Sequence, residues 1–277
     1  MSRLLICTDL DRTLIPNGRQ SESPEARQRF AKFVSRQDVT LAYVSGRHRQ
    51  LIEQAIVDYQ LPQPDFAIAD VGSTIYRIEQ DQWLPWQAWS DEIAGDWQGL
   101  GQDRVHALLS DIDALELQET EKQNIHKLSY YLPLQHDHQT IIDTIQARLQ
   151  ANNVKANVIW SVDELKDVGL LDILPASANK LHAIRFLMQQ KGYDERETIF
   201  AGDSGNDLDV LLSSIQSVLV ANADDEVRCA VEEACPDRLY LASGDFLGMN
   251  GNYSAGILEG VAHYHPDLVA VIEGEQL

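Results

Sequence analysis

Short apolar runs separated by amphipathic stretches dominate the first part of the chain. Leu4–Thr8, Val39–Val44 and Phe66–Ala69 are continuous apolar segments of strand length, the pattern of strands buried on both faces. Between them, residues 24–37 and 49–59 place apolar positions at helical spacing, the first with Ser23 as N-cap and Pro24 at the first helical position. This strand–helix alternation predicts a doubly wound, mostly parallel sheet. The alternation resumes late in the chain, with helices expected over 180–191, 206–213, 224–234 and 255–264 and strands over 198–201 and 218–221. The middle reads differently. Residues 75–89 alternate like a hairpin, 91–111 read as one helix, and the runs 124–132 and 155–160 flank a helix over 138–151. Residues 170–174 read as the return into the first unit. The expected architecture is α/β: a Rossmann-like core over 1–78 and 172–277, interrupted by an α+β cap over 79–171.

Composition narrows the classes of partner. The 277 residues carry 43 acidic against 22 basic side chains, a formal net charge of −21. Nucleic acids and anionic membranes both call for a basic footprint, so neither is expected. No apolar stretch reaches the length of a membrane span, and Met1-Ser2-Arg3 leads straight into a strand without the apolar region of a signal peptide. A cytoplasmic monomer is expected. Cys7, Cys229 and Cys235 are odd in number and widely spaced, which fits neither a disulfide framework nor a zinc site. The eight histidines show no metal-ligand spacing beyond His136/His138 and His263/His265, which sit in polar surroundings. Trp83, Trp86, Trp89, Trp97 and Trp160 are expected to pack rather than to stack on a ligand.

Three of the expected strands run directly into polar signatures. Asp9-Leu10-Asp11-Arg12-Thr13 follows the first, Ser45-Gly46-Arg47 the second, and Gly202-Asp203-Ser204-Gly205-Asn206-Asp207 the strand over 198–201. Strands of one parallel sheet share an edge, so these groups converge in the crevice where open α/β sheets bind ligands. Carboxylates crowded there repel one another unless a cation intervenes, and hard oxygen donors suit Mg²⁺ together with a substrate phosphate. A calcium-binding EF-hand loop is the rival, but it needs glycine at its sixth position and glutamate at its twelfth. Counting from Asp203 gives Leu208 and Ser214, and counting from Asp9 gives Leu14 and Gln20. Metal-dependent phosphoryl transfer is the chemistry left. Asp9 is the candidate nucleophile or metal ligand, and Asp11 the candidate general acid and base, with its pKa expected to be raised by neighbouring carboxylates. Ser45 would bind a phosphate oxygen. Lys180 stands at the start of a helix, where the dipole disfavours a cation, and is expected to neutralise Asp9 and phosphate together. Arg47 and Lys127 are further cations available to the site.

These four signatures, in this order, resemble the haloacid dehalogenase superfamily of phosphatases, and the likeness covers nearly the whole chain. Residues 64–73, His126-Lys127-Leu128-Ser129-Tyr130-Tyr131, Leu171-Asp172-Ile173-Leu174-Pro175 and the stretch 253–260 are similar to its sucrose-phosphatase family. The resemblance implies an aspartyl-phosphate on Asp9, and Mg²⁺ held by Asp9, the main-chain oxygen of Asp11 and Asp203, with Asp207 in support. Phosphate would lie against Leu10, Ser45, Gly46, Lys180 and Asn206. Ser73, Lys127, Ser129 and Tyr131 would hydrogen-bond a sugar, making the substrate a phosphorylated disaccharide, foremost sucrose 6-phosphate. Other phosphorylated glycosides of glucosyl or mannosyl type are the nearest alternative, followed by a sugar phosphomutase. A sugar-phosphate synthase is a further expected partner, and a non-catalytic module docked on one is the alternative outside enzymes. The family pattern carries glutamate after Gly72-Ser73 where this chain has Thr74.

Overall fold

The computed structural model describes residues 3–163 and 166–273. Its first half builds the centre of a large sheet. Strand β1 (Leu4–Thr8) is buried throughout and is followed by helix α1 (Ala26–Val34), β2 (Val39–Val44), α2 (Arg49–Asp58) and β3 (Phe66–Ala69). β1 alternates faces with period two. Leu4 and Ile6 join the cluster under α1 and the C-terminal helices, while Leu5 and Cys7 join the cluster on the opposite face. Burial on both faces is why the strand reads as an unbroken apolar run.

β3 is followed by the hairpin β4 (Thr74–Glu79) and β5 (Gln82–Pro85), which turns through Gln80 and Asp81, both left-handed. The hairpin pairs antiparallel on β3, so Gln82–Pro85, expected within the cap, extends the large sheet instead. Helix α3 (Gln87–Ala94) then sends Trp89 and Ile93 into the core cluster beside Phe186. The single helix expected over 91–111 is broken. A tight turn at Gly95–Trp97 and left-handed Gln98 and Gly99 reverse the chain before α4 (Gln102–Ala107). Glycine at 95, 99 and 101 weakens helical propensity just where Trp97 gains a buried site.

A second, antiparallel sheet follows, from β6 (Glu116–Leu117), β7 (Leu128–Leu132), helix α5 (His138–Ala151), β8 (Ala156–Asp163) and β9 (Val168–Pro175), in the order β6-β7-β9-β8. Asp137 caps α5 by accepting from the amides of Gln139 and Thr140. On β7, Leu128, Tyr130 and Leu132 point to α5 together with Leu171 and Ile173 of β9. Ser129, Tyr131 and Asp172 therefore occupy the other face, where Ser129 stands opposite Asp172 in register. Residues 170–174 thus belong to β9, one of the two inner strands of the small sheet; only the end of β9 leads back to the core.

The chain returns through α6 (Lys180–Lys191), β10 (Thr198–Gly202), the short α7 (Leu208–Leu211), β11 (Gln216–Leu219), α8 (Asp225–Ala234), β12 (Leu239–Leu241) and α9 (Ser254–Tyr264). β12 had no strand signal beyond Leu239-Tyr240-Leu241, too short a run to read. The large sheet has the order β12-β11-β10-β1-β2-β3-β4-β5, parallel from β12 through β3. Ser23 does not cap α1. Its hydroxyl accepts from the amide of Asn250, and the turn enters α1 through left-handed Glu25. The tryptophans pack as expected: Trp86 against Phe66 and Phe186, Trp83 edge-on to Tyr76, Trp89 and Trp97 in buried clusters, and Trp160 stacked on His138. Cys7 is buried in the core, and Cys229 and Cys235 are free and exposed. Among the described residues, no helix is long and apolar enough to cross a membrane.

Candidate active site

Parallel register brings the signatures together. Thr8 lies between Tyr43 of β2 and Ala201 of β10, so the residues that follow each strand leave the sheet at one edge. The amide of Asp9 donates to the carbonyl of Ala201 at 2.9 Å, and that of Ser45 to Ile68 at 2.8 Å, which holds both loops on the sheet end. At the end of β10, Gly202 lets Asp207 fold back: a Cβ there would stand 2.7 Å from the Asp207 carboxylate carbon. Asp207 Oδ2 accepts from the amides of Asp203 and Ser204, both at 3.1 Å, closing a capping box with Ser204.

Asp9, Asp203 and Asp207 each offer an oxygen within 4.8 Å of the others, and all three are buried. Lys180 reaches into this group from the first turn of α6, whose N-cap is Asn179. Its Nζ donates to Asp207 Oδ1 at 2.7 Å, to Asn206 Oδ1 at 2.8 Å and to Asp9 Oδ1 at 3.2 Å, using all three ammonium protons. Burial works against the charge of Lys180, but Asp207 and Asp9 hold its pKa above the ordinary value. Burial pushes the Asp9 carboxyl up to about 8; Lys180 pulls the other way, and Asp207 and Asp203 add to the rise. Burial and then Asp207 likewise push Asp203 up to about 6, against Thr13 and Arg12.

Three carboxylates facing the Lys180 ammonium and, at Asp203, the Arg12 guanidinium remain short of positive charge, and the donor chemistry fits a hard divalent cation such as Mg²⁺. One atom supports this independently: Asp203 Oδ2 is buried and accepts no hydrogen bond, with Arg12 Nε 3.2 Å away but poorly aligned. Asp207, in contrast, has both oxygens engaged, by Lys180 on one side and by the Asp203–Ser204 backbone on the other.

Asp11 departs from expectation. Burial tends to raise its pKa, but Arg47 grips both its oxygens at 2.6 and 2.7 Å and Asn17 donates at 2.7 Å, so the carboxyl falls below its ordinary value. The rise expected from neighbouring carboxylates does not occur: burial alone works upward, and a bidentate guanidinium outweighs it. Ser45 is buried, and its Oγ accepts from the amide of Arg47 at 3.1 Å; α2 begins four residues after Ser45, with His48 at the N-cap position. Leu10 is buried and turns its amide on the Asp9 carboxylate. Asp9, Asp11, Ser45, Gly46, Arg47, Asp203 and Asn206 line a cleft of about 330 Å³.

A second polar cluster joins the two sheets. Lys127 is 6% exposed, its Nζ 3.3 Å from Asp70 Oδ1 and 3.6 Å from Asp172 Oδ2. Asn124 Nδ2 reaches Asp70 Oδ2 at 3.1 Å and the hydroxyls of Ser73 and Thr74 at 3.2 Å. Ser129 Oγ donates to Asp172 at 2.5 Å. The structure thus gathers Ser73, Lys127 and Ser129, whereas Tyr131 turns to Glu119 and Lys122. Sequence reasoning passed over Asp70, Asn124 and Asp172. Asp172 carried a legible signal, a lone acid between Leu171 and Ile173 in an apolar strand; Asp70 and Asn124 had none, since distant segments bring them together.

The model of the sucrose-6F-phosphate phosphohydrolase family matches residues 2–265. A protein of Nitrosococcus oceani named as a HAD-like hydrolase is 55% identical over 98% of this chain and 74% of its own. A mannosylfructose-phosphate phosphatase of Agrobacterium fabrum is 27% identical over 94% of this chain and 96% of its own. The solved sucrose-phosphatase of Synechocystis sp. PCC6803, in complex with sucrose and phosphate, superposes with a TM-score of 0.72 at 28% identity, covering 95% of this chain and 98% of that one. The chain belongs to the sucrose-6F-phosphate phosphohydrolase family of HAD-like phosphatases.

Proposed function

We propose that the protein is a Mg²⁺-dependent phosphatase that hydrolyses a phosphorylated disaccharide, foremost sucrose 6-phosphate, to free sugar and phosphate. The observation that carries this reading is the buried group of Asp9, Asp203 and Asp207 around Lys180 at the sheet edge. Asp9 attacks phosphorus and the bond to the sugar oxygen breaks, leaving an aspartyl-phosphate. Asp11, protonated from solvent once it is free of Arg47, gives that proton to the departing oxygen, then takes one from the water that attacks the phosphorus and returns Asp9. To do so Asp11 must first leave Arg47, and a phosphate dianion seated on Ser45 and Gly46 competes for that guanidinium. Asp9, Asp203 and the main-chain oxygen of Asp11 would hold Mg²⁺, which supplies charge neutralisation for the phosphoryl group. Lys180 steadies Asp9, and Asp207 positions Lys180.

In this reading the small sheet with α4 and α5 is the cap, which begins after α3 and not at residue 79 and runs through β9, and it brings Lys127 and Ser129 toward the sugar opposite Ser73 of the large-sheet unit. Closing it excludes bulk water from the first step. A second reading, a phosphatase of another glycosyl conjugate, draws support from the mannosylfructose-phosphate phosphatase relative and from Thr74 in place of a carboxylate. Phosphate release from a panel of sugar phosphates, with Mg²⁺ and with chelator, separates the two. Asp9→Asn is expected to abolish turnover with the fold intact, and retained turnover would remove Asp9 as nucleophile.

A further inference from the structure

The turn after β3 is unusual in its backbone. Asp70 and Val71 are both left-handed, at φ of 52° and 58°, and Gly72 follows at 97°. Two consecutive non-glycine residues in that region cost about 1–3 kcal/mol each, so the surroundings must over-determine them. The turn is held from both sides. The Asp70 amide donates to the Arg47 carbonyl at 3.0 Å and that of Val71 to Ser45 at 3.1 Å, while Gly72 lies against the backbone of Asn179, next to Lys180. It therefore touches two of the loops that carry the catalytic candidates.

What the strain achieves is the aim of one side chain. The Asp70 carboxylate is 4% exposed, and both its oxygens point at groups from the small sheet's side, Lys127 and Asn124. Lys127 is held loosely, at 3.3 and 3.6 Å, so it keeps donor capacity for a further acceptor. Asp70 and Asp172 together outnumber this one buried ammonium, and the nearby Lys122 is already paired with Glu119 at 3.1 Å. A cluster of that balance accepts hydroxyls, which donate to carboxylates and accept from the ammonium. It repels a second anion, because an added carboxylate would meet two of its own sign.

Resting on the phosphatase reading above, the geometry points to Asp70 as a specificity-determining residue, which with Asp172 and Lys127 selects a neutral, polyhydroxylated leaving group over one that bears a carboxylate. Asp70 acts on the sugar half of the substrate and not on the phosphorus.

The test compares three substrates with Mg²⁺: a neutral disaccharide phosphate, a glycosyl phosphate whose second half carries a carboxylate, and para-nitrophenyl phosphate. For Asp70→Asn, kcat/KM for the neutral disaccharide phosphate relative to para-nitrophenyl phosphate is expected to fall about tenfold, chiefly through KM. The preference for neutral over carboxylated substrate should narrow by a similar factor. An equal fall on all three substrates would show a merely structural role and overturn the assignment, as would an unchanged preference. A measurement on the unsubstituted protein stands apart from any folding defect: a free neutral disaccharide should inhibit competitively at about tenfold lower concentration than its uronic acid counterpart. Equal inhibition by the two would overturn the assignment as well. If the unsubstituted enzyme releases phosphate only from para-nitrophenyl phosphate, the sugar-phosphatase reading itself falls; if it cleaves the sugar phosphates but Asp70→Asn leaves their ratio unchanged, only the role of Asp70 falls.

Discussion

Gly72 shows how a single side-chain hydrogen governs the site. At φ of 97° it occupies a region that L-residues avoid, and a Cβ there would stand 2.5 Å from the carbonyl carbon of Asn179. Asn179 caps α6, whose first residue is Lys180, so the clash would be felt at the ammonium that holds Asp9. Gly72→Ala is expected to destabilise the protein by about 2–4 kcal/mol, read as a lower urea midpoint. A midpoint equal to that of the parent would show that the turn is not pinned against Asn179. Lys127→Ala is expected to raise KM for the sugar phosphate with kcat little changed, since it removes binding shared by ground and transition states. A fall in kcat at constant KM would remove Lys127 from the sugar site. Individual residues of this kind were only partly legible in the sequence. Asp9, Asp203 and Lys180 stood out because a charge at the end of an apolar strand or the start of a helix needs a reason. Arg47 was read as a free cation for phosphate, and only its position opposite Asp11 shows it committed to a carboxylate.

Elements place those residues, and α6 carries an apparent contradiction. A cation in the first turn opposes the helix dipole, yet Lys180 is 3% exposed there. The opposing carboxylates settle it: Asp207 and Asp9 outweigh the dipole and the cost of burial. Lys180→Met should therefore leave buried carboxylates unpaired and cost about 3–5 kcal/mol in chelator, with part of the loss recovered by Mg²⁺. Thermal unfolding with and without the metal checks this, and a variant as stable as the parent in chelator would contradict it. Elements with strong periodicity, such as β1, β2, α5 and α9, were read close to their observed bounds. The segment 91–111 was not. Its apolar spacing is helical on average; Gly95, Gly99 and Gly101 weaken the helix locally, but that the chain breaks at Gln98–Gly99 also depends on Trp97 finding a buried site, which local pattern does not encode.

For the whole molecule, the shortage of positive charge at the sheet edge should appear as linkage between metal and stability. Mg²⁺ at a hundredfold excess over its dissociation constant is expected to stabilise the protein by about 2.7 kcal/mol, seen as a rise in Tm. Asp203→Asn should remove most of that rise, and a metal-induced rise of equal size in the variant would place the ion elsewhere. The sequence by itself determined the α/β class, the inserted small sheet and the order of the four signatures. These follow from hydrophobic period and from the rule that parallel strands end at one edge, both properties of short stretches of chain. Tertiary structure alone decided that the 74–85 hairpin extends the large sheet, that Arg47 clamps Asp11, and that Asp70, Asn124, Lys127 and Asp172 form one cluster. The physical reason is the same for all three: each pairing joins segments whose complementarity exists only after the backbone has brought them within hydrogen-bonding distance.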